Sequence, residues 1–282
     1  MTKNRIGKQR NVREEGIMAA RNKIFFFYKK EERTLEKINS LLSLAKTEGF
    51  ELVEDEKEAN IIASIGGDGT FLQAVRKTGF RDDCLYVGVS TLENEFYCDF
   101  HIDDQAGMIE AMKNEQVEVR KYPALSVNID GQGSFFCLNE CSLRSSIIRT
   151  LEIDVFIDDL YFETFRGDGM IISTPTGSTA YNKSVNGAVV DPMLACYQIS
   201  ELASLNNNHY RTLGSSFILS DNRKMTLKIK HDNSHYPIIG MDNEAMSIKH
   251  CETLNFELTT KRIKTVKLKD NSFWHKVKRS FL

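Results

Sequence analysis

Along the first half of the chain, apolar residues fall into short unbroken runs separated by longer amphipathic stretches. "KIFFFYK" (23–29) reads as a buried strand, and residues 31–47 as a helix with Leu35, Ile38, Leu42 and Ala45 on one face and Gly49 as its stop. "FELV" is a short extended piece, "NIIASI" a second buried strand, "TFLQAVRKT" a helix, "CLYVGVS" a third strand, and 104–116 a further helix. Strand, helix, strand, helix, strand predicts a parallel sheet, because parallel neighbours need a long crossover that a helix supplies.

After Pro123 the pattern changes to short β-rich segments such as "ALSVNID", "LEIDVFIDD", "GMIIST" and "TLNFELTT", bounded by Gly, Asp, Asn or Ser turns, with one helix expected near 192–205 and Asp191 and Pro192 at its start. The expected organisation is a flexible N-terminal tail (1–22), an α/β domain carrying a glycine turn (23–122), a β-rich domain (123–266) and an amphipathic C-terminal segment (267–282). Trp274, Val277 and Phe281 give that last segment a face to pack back on the first domain; a frayed tail is the alternative. In the tail, Glu14, Glu15 and Gly16 would be encoded by purine-rich codons just ahead of Met18, resembling a ribosome-binding sequence, so Met18 is the expected natural start.

Composition narrows the partners. A chain of 282 residues exceeds the size at which a single core stops growing, which agrees with two domains. With 37 basic against 39 acidic residues and a net charge of -2, there is no electrostatic reason to expect nucleic acid or an anionic membrane. No apolar stretch approaches the roughly 18 residues that span a bilayer, and a cytoplasmic protein is expected. The six scattered cysteines then read as free thiols. Cys137 and Cys141, and His231 and His235, have spacings that could suggest zinc, but no short-spaced cysteine pair supports a zinc site.

The chemistry starts at "GGDGT" (66–70), between the second strand and its helix. There the unpaired N–H groups and the helix dipole favour an anion, and glycines let a phosphate approach the backbone. Neither G-x-x-x-x-G-K-[ST] nor G-x-G-x-x-G occurs, which argues against a P-loop enzyme or a dehydrogenase. A carboxylate beside phosphates is repelled unless it binds a cation or accepts a proton from an attacking hydroxyl, so Asp68 suits phosphoryl transfer; taken alone, the segment leaves an ordinary turn equally open.

Two further segments extend the pattern. "FRGDGMIISTPTGSTAYNKS" (165–184) sets Arg166 and Asp168 in one glycine turn and Thr174, Thr176, Ser178, Thr179, Tyr181 and Ser184 around a second, more hydroxyls than a turn requires. They suit hydrogen bonding to a sugar and phosphates, and Arg166 adds a fixed cation. "LNE" (138–140) places an amide and a carboxylate at a strand end, able to hold ribose hydroxyls or an adenine edge.

"GGDGT", "NE" (139–140), "FRGDG" (165–169) and "TPTGSTAY" (174–181), in that order, resemble the NAD kinases, which phosphorylate the 2′-hydroxyl of the adenosine ribose of NAD. The resemblance runs from residue 23 to the C-terminus, and its second half is similar to the bacterial form of low-GC Gram-positive organisms. It implies an α/β N-terminal domain plus a β-rich C-terminal domain with the active site between them, in a homotetramer or homodimer. The implied substrates are NAD and ATP, with polyphosphate as an open alternative donor, and a divalent cation, Mg²⁺, bound mainly through the donor phosphates.

Residue by residue, the resemblance makes Asp68 the general base and Gly69 a point of close backbone approach; Asn139 and Glu140 hold NAD. Arg166 and Asp168 contact the dinucleotide, Thr179, Ala180, Tyr181, Asn182, Lys183 and Ser184 line its site, and Ala203 lies beside the adenine pocket. The chain departs from the family after the third strand: an N-x-G-x-L-G-F type turn is replaced by "STLENEFYCDF" (90–100), glycine-free and carrying Glu93 and Glu95. Two other readings are carried forward. A lipid kinase shares GGDGT but lacks TPTGSTAY, and a non-catalytic dinucleotide sensor would keep the fold without the reaction.

Overall fold

A computed structural model describes residues 21–29, 32–145, 149–230, 237–246 and 251–282. His231 and His235, most of the N-terminal tail and Met18 lie outside the described residues. The chain divides into one compact unit of Met1–Lys121 with Ile263–Leu282, and a second of Tyr122–Arg262. The return to the first unit comes at Ile263, ahead of the 267 expected from the pattern.

In the first unit, β1 (Lys23–Tyr28), α1 (Glu32–Thr47), β2 (Glu51–Leu52), β3 (Ile61–Ile65), α2 (Asp68–Lys77), β4 (Leu85–Ser90), β5 (Phe100–His101) and α3 (Gln105–Lys113) follow in order. The strands align in parallel as β2-β1-β3-β4. Every residue of β3 and β4 is buried, as expected for central strands covered on both faces. Ile61, Ala63 and Ile65 of β3 pack with Ile38 and Leu41 of α1 and Met108 and Ala111 of α3. On α2, Phe71, Leu72, Ala74 and Val75 are the buried positions, and Phe71 meets Tyr86 of β4 edge-on.

The second unit is antiparallel. It comprises β6 (Val117–Ile129, from Tyr122 on), β7 (Ser134–Cys137), β8 (Glu140–Arg144), β9 (Leu151–Ile157), β10 (Leu160–Gly167), β11 (Gly169–Ser173), two short helical turns at Thr176–Thr179 and Tyr181–Ser184, β12 (Cys196–Leu202), β13 (Phe217–Ser220), β14 (Met225–Ile229), β15 (Ile238–Met241), β16 (Glu244–Met246) and β17 (Thr253–Leu268, to Arg262). One sheet runs β10-β9-β14-β17 with β6 and β7 attached, and a six-stranded sheet runs β13-β12-β11-β8-β15-β16. One core joins them, with Val127, Val155, Leu227 and Phe256 from the first and Leu143, Met170, Ile172 and Ile199 from the second. Cys137, Cys141 and Cys251 belong to that core, and all six cysteines are buried free thiols.

The helix expected at 192–205 is not formed. Asp191 accepts the Met193 N–H at 2.9 Å in a local side-chain turn, and Cys196–Leu202 is strand β12, paired on both edges by β11 and β13. Burial of five successive residues, Cys196–Ser200, satisfies a central strand and not a half-exposed helix.

At the C-terminus, α4 (Phe273–Phe281) is capped by Ser272, whose Oγ accepts the His275 N–H at 3.2 Å. Its most buried residue is Lys276, at 2% exposure; of the expected apolar face, Val277 is half-buried and Phe281 stacks on Phe96, while Trp274 is 48% exposed. Phe273 and Phe281 flank Lys276, each with its ring near Phe96.

Candidate functional site

Asp68 opens α2 directly after β3, at the carboxyl end of a central parallel strand, where ligands bind in such sheets. Gly66 has φ +150°, and a Cβ there would stand 2.3 Å from Thr70 Oγ1, so the turn needs glycine at that position. Gly67 occupies the N-cap position with no side-chain cap, and Gly69 is exposed. At the first turn of α2 the Asp68 N–H is taken by Glu95, and a Cβ on Gly67 would stand 3.2 Å from both Leu92 and the Glu95 carboxylate.

The glycine-free segment after β4 supplies the surroundings of Asp68. Its carboxylate is half-buried, with Oδ2 accepting the Phe96 N–H at 2.8 Å and Oδ1 the Tyr97 N–H at 2.6 Å. Two backbone donors fix the carboxylate plane. The Tyr97 ring stacks on Phe71 of α2 at 4.8 Å, tying the segment to the helix. Glu95 accepts the Asp68 N–H. Burial and the nearby Asp68 charge push its carboxyl up to about 7.

In the second unit, Asn139 and Glu140 lie where β8 begins, both buried. Asp242, after β15, accepts the Leu138 N–H at 3.0 Å and the Asn139 N–H at 2.7 Å, fixing this strand end. Glu140 Oε2 is buried without a hydrogen-bond partner among the described residues. Burial, then Asp242, push its carboxyl up to about 8. A buried carboxyl with an open acceptor is suited to a ligand donor such as a ribose hydroxyl.

The hydroxyl-rich turn meets the same strand end. Thr174 Oγ donates to Leu138 O at 2.6 Å, Thr176 Oγ donates to the same carbonyl at 2.9 Å, and Thr174 N–H donates to Asn139 O at 2.8 Å. A Cβ on Gly177 would stand 2.2 Å from Asn139 O, so only glycine allows this approach. Beyond it, Thr179, Ala180 and Tyr181 are half-buried and Lys183 and Ser184 exposed. Asn182 is fully buried; its Oδ1 accepts from Ser200 Oγ at 2.7 Å and its Nδ2 has no partner among the described residues. Arg144 lies over the Tyr181 ring at 5.8 Å.

Arg166 and Asp168 sit at the junction of β10 and β11. Arg166 Nε donates to Glu152 at 2.8 Å and its guanidinium covers the Tyr210 ring at 4.1 Å, while Asp168 is exposed. The exposed Ala203 follows β12 with φ +46°, beside Gly167. Within the second unit, Asn139, Glu140 and the 174–179 turn thus converge on one strand end. The residues that pattern reading missed are Phe96 and Tyr97, which act through main-chain N–H groups that carry no residue signature, and Asp242, 103 residues from the amide it holds.

Among the described residues no group of three or more His, Cys, Asp or Glu is placed to hold a metal ion. Nor is any helix among them long and apolar enough to cross a membrane.

Comparison with known proteins agrees with this architecture. A family model of the ATP-NAD kinase C-terminal domain matches residues 138–268. NAD kinase 2 of Geobacillus kaustophilus is 64% identical over 263 residues, covering 93% of this chain and 98% of that protein. NAD kinase 2 of Bacillus subtilis is 63% identical over the same length, with the same coverage. Yeast NADH kinase complexed with NADH superposes with a TM-score of 0.78 over 92% of this chain and 87% of that one at 17% identity. An NAD kinase from Archaeoglobus fulgidus in complex with ATP gives 0.70 over 91% and 98% at 21% identity. The structural likenesses establish the two-domain fold; the sequence identities go further, and the chain belongs to the NAD kinase family, in the form carried by Bacillus and its relatives.

Proposed function

We propose that this NAD kinase transfers the γ-phosphoryl group of ATP to the 2′-hydroxyl of the adenosine ribose of NAD with Asp68 as the general base. Relatives of this identity do not favour a lipid kinase or a non-catalytic sensor. The observation that carries the role of Asp68 is its carboxylate, oriented by the Phe96 and Tyr97 N–H groups at the start of α2, at the carboxyl end of a central parallel strand. As the ribose oxygen bonds to phosphorus and the bond to ADP breaks, Asp68 takes the hydroxyl proton. Positioning and charge neutralisation supply most of the remaining acceleration.

Asn139 and Glu140 hold the dinucleotide by its ribose or adenine edge, the 179–184 segment with Ala203 forms its wall, and Arg166 and Asp168 contact it. Gly69 lets a phosphate reach the α2 backbone. A divalent cation, Mg²⁺ in this reading, would be held mainly by the donor phosphates and would supply charge neutralisation there. Polyphosphate would use the same turn. A homotetramer or homodimer in the cytoplasm completes the proposal, and light scattering on the purified protein decides its oligomeric part.

The test is incubation with NAD, ATP and Mg²⁺, assayed for NADP. Asp68→Asn keeps shape and removes the base, and kcat is expected to fall roughly 10²- to 10⁴-fold with NAD binding retained. Near-normal turnover in that variant would remove Asp68 from the base role.

A further inference from the structure

Two lysines are almost wholly buried in the first unit, Lys267 from β17 at 1% exposure and Lys276 from α4 at 2%. Both pair with Asp99, whose side chain is fully buried, Lys267 at 3.4 Å and Lys276 more closely. Burying one ion pair is costly, and a second buried ammonium on the same carboxylate adds cost without obvious gain in stability. The remaining contacts give it a purpose. Lys276 Nζ donates to Phe96 O at 2.6 Å, and Lys267 Nζ to Phe96 O at 3.1 Å and Tyr97 O at 2.6 Å.

Phe96 C=O and Tyr97 N–H belong to one peptide group. That group therefore carries two ammonium ions on its oxygen and the Asp68 carboxylate on its N–H. Cations on a carbonyl withdraw electron density through the amide and make its N–H a stronger donor, while their hydrogen bonds fix the peptide plane. We propose that Lys276 is a positioning residue for Asp68, holding the carboxylate in place through the Phe96–Tyr97 peptide group, so that the C-terminal helix is part of the catalytic apparatus. This rests on Asp68 being the base. Asp68 and Asp99 balance the two ammonium charges, which accounts for why two cations are tolerated at that depth.

Burial, followed by the neighbouring Lys267, lowers Lys276 to about 8. The charged or titratable groups around it are Asp99, Glu95 and Cys98 of the loop, Asp68 of α2 and Lys267 of β17. Above that pH Lys276 loses its charge, and with it the pull of that ammonium on the Phe96–Tyr97 peptide.

The test is steady-state kinetics on the full-length enzyme with NAD, ATP and Mg²⁺. In the wild type, kcat is expected to fall on the alkaline side with a midpoint near 8, and in Lys276→Arg, which stays charged, that limb moves beyond the measured range. Lys276→Met is expected to lower kcat about ten- to hundredfold while KM for NAD changes by less than about twofold. Placed on Asp68→Asn, the same substitution should lower kcat by less than about twofold, because the base it positions is already gone.

A wild-type kcat that stays flat through pH 9 overturns the proposal without any variant, as does an equal loss from Lys276→Met in both backgrounds, the mark of a purely structural lysine. Should Asp68→Asn turn over normally, the base assignment itself fails. Should Asp68→Asn be slow and Lys276→Met not, only the role of Lys276 falls.

Discussion

Two glycine turns in this protein look alike in sequence and are built on opposite principles. The turn before α2 and the turn after β11 both follow a buried strand, and each contains a glycine that no other residue can replace without displacing neighbours, Gly66 against Thr70 and Gly177 against Asn139 O. Around the first stand ionisable groups, Asp68, Glu95, Asp99, Lys267 and Lys276, of which Asp68 and the two lysines meet on one peptide group. Around the second stand neutral hydroxyls, Thr174, Thr176 and Ser178, each bonded to main-chain carbonyls, with the carboxyls of Glu140 and Asp242 confined to the strand end that they meet. Charge at the first suits a step in which a proton moves and phosphate charge shifts. Neutral, fully bonded hydroxyls at the second suit holding a ligand surface still, since each removes an orphan backbone acceptor and adds no field.

If that contrast is real, substitutions at the two turns should fail in different ways. The largest effect belongs to Asp68→Asn, a fall in kcat of roughly 10²- to 10⁴-fold with little change in denaturation midpoint. Gly177→Ala should do the reverse: with its Cβ 2.2 Å from a backbone oxygen the turn must shift. A loss of about 1–3 kcal/mol in urea denaturation, with weaker NAD binding by calorimetry, is expected. Wild-type stability in Gly177→Ala would show the turn to be more pliable than its packing implies.

Thr174→Val keeps volume and removes the hydroxyl that donates to Leu138 O and accepts the Gly177 N–H. It leaves these groups buried and is expected to cost about 1–2 kcal/mol, read by the same denaturation. The smallest effect is one of slope. Glu140, pushed up to about 8 by burial and then Asp242, binds its proton more tightly folded than unfolded. Its contribution is complete below the ordinary glutamate range and is lost as pH rises toward and through about 8. Glu140→Gln stays neutral, so its thermal midpoint should decline less than the wild type's between pH 6 and 8.5; parallel declines would mean that Glu140 is not protonated in the folded protein.

The elements of the first unit were legible because their cause is local. A continuous apolar run such as "NIIASI" has only one comfortable state, a strand covered on both faces, and the 3.6-residue spacing of α1 has only one face to bury. The segment 196–202 was misread because its apolar and polar residues are mixed, and the decision came from pairing on both edges, which no local pattern encodes. The C-terminal segment was legible as amphipathic, but the burial of Lys276 was not, since a lysine reads as solvent-facing until its buried partners are known.

The site divides in the same way. Asp68, Asn139, Glu140 and the 174–184 hydroxyls were visible as candidates because several carboxylate-, amide- and hydroxyl-bearing glycine turns occur together in one order, whereas GGDGT alone left an ordinary turn equally open. What surrounds them was invisible: Phe96 and Tyr97 donate through backbone N–H groups, Asp242 reaches back 103 residues to Asn139, and Lys276 acts on a carbonyl 180 residues away. The sequence by itself therefore determined which chemical groups are present and which local elements carry them, because propensity and periodicity act over a few residues. Only the tertiary structure decided which carboxylate is held by two amides, which carboxyl is kept from water and which lysine is buried, because charge burial and hydrogen-bond geometry depend on neighbours that the chain brings together from far apart.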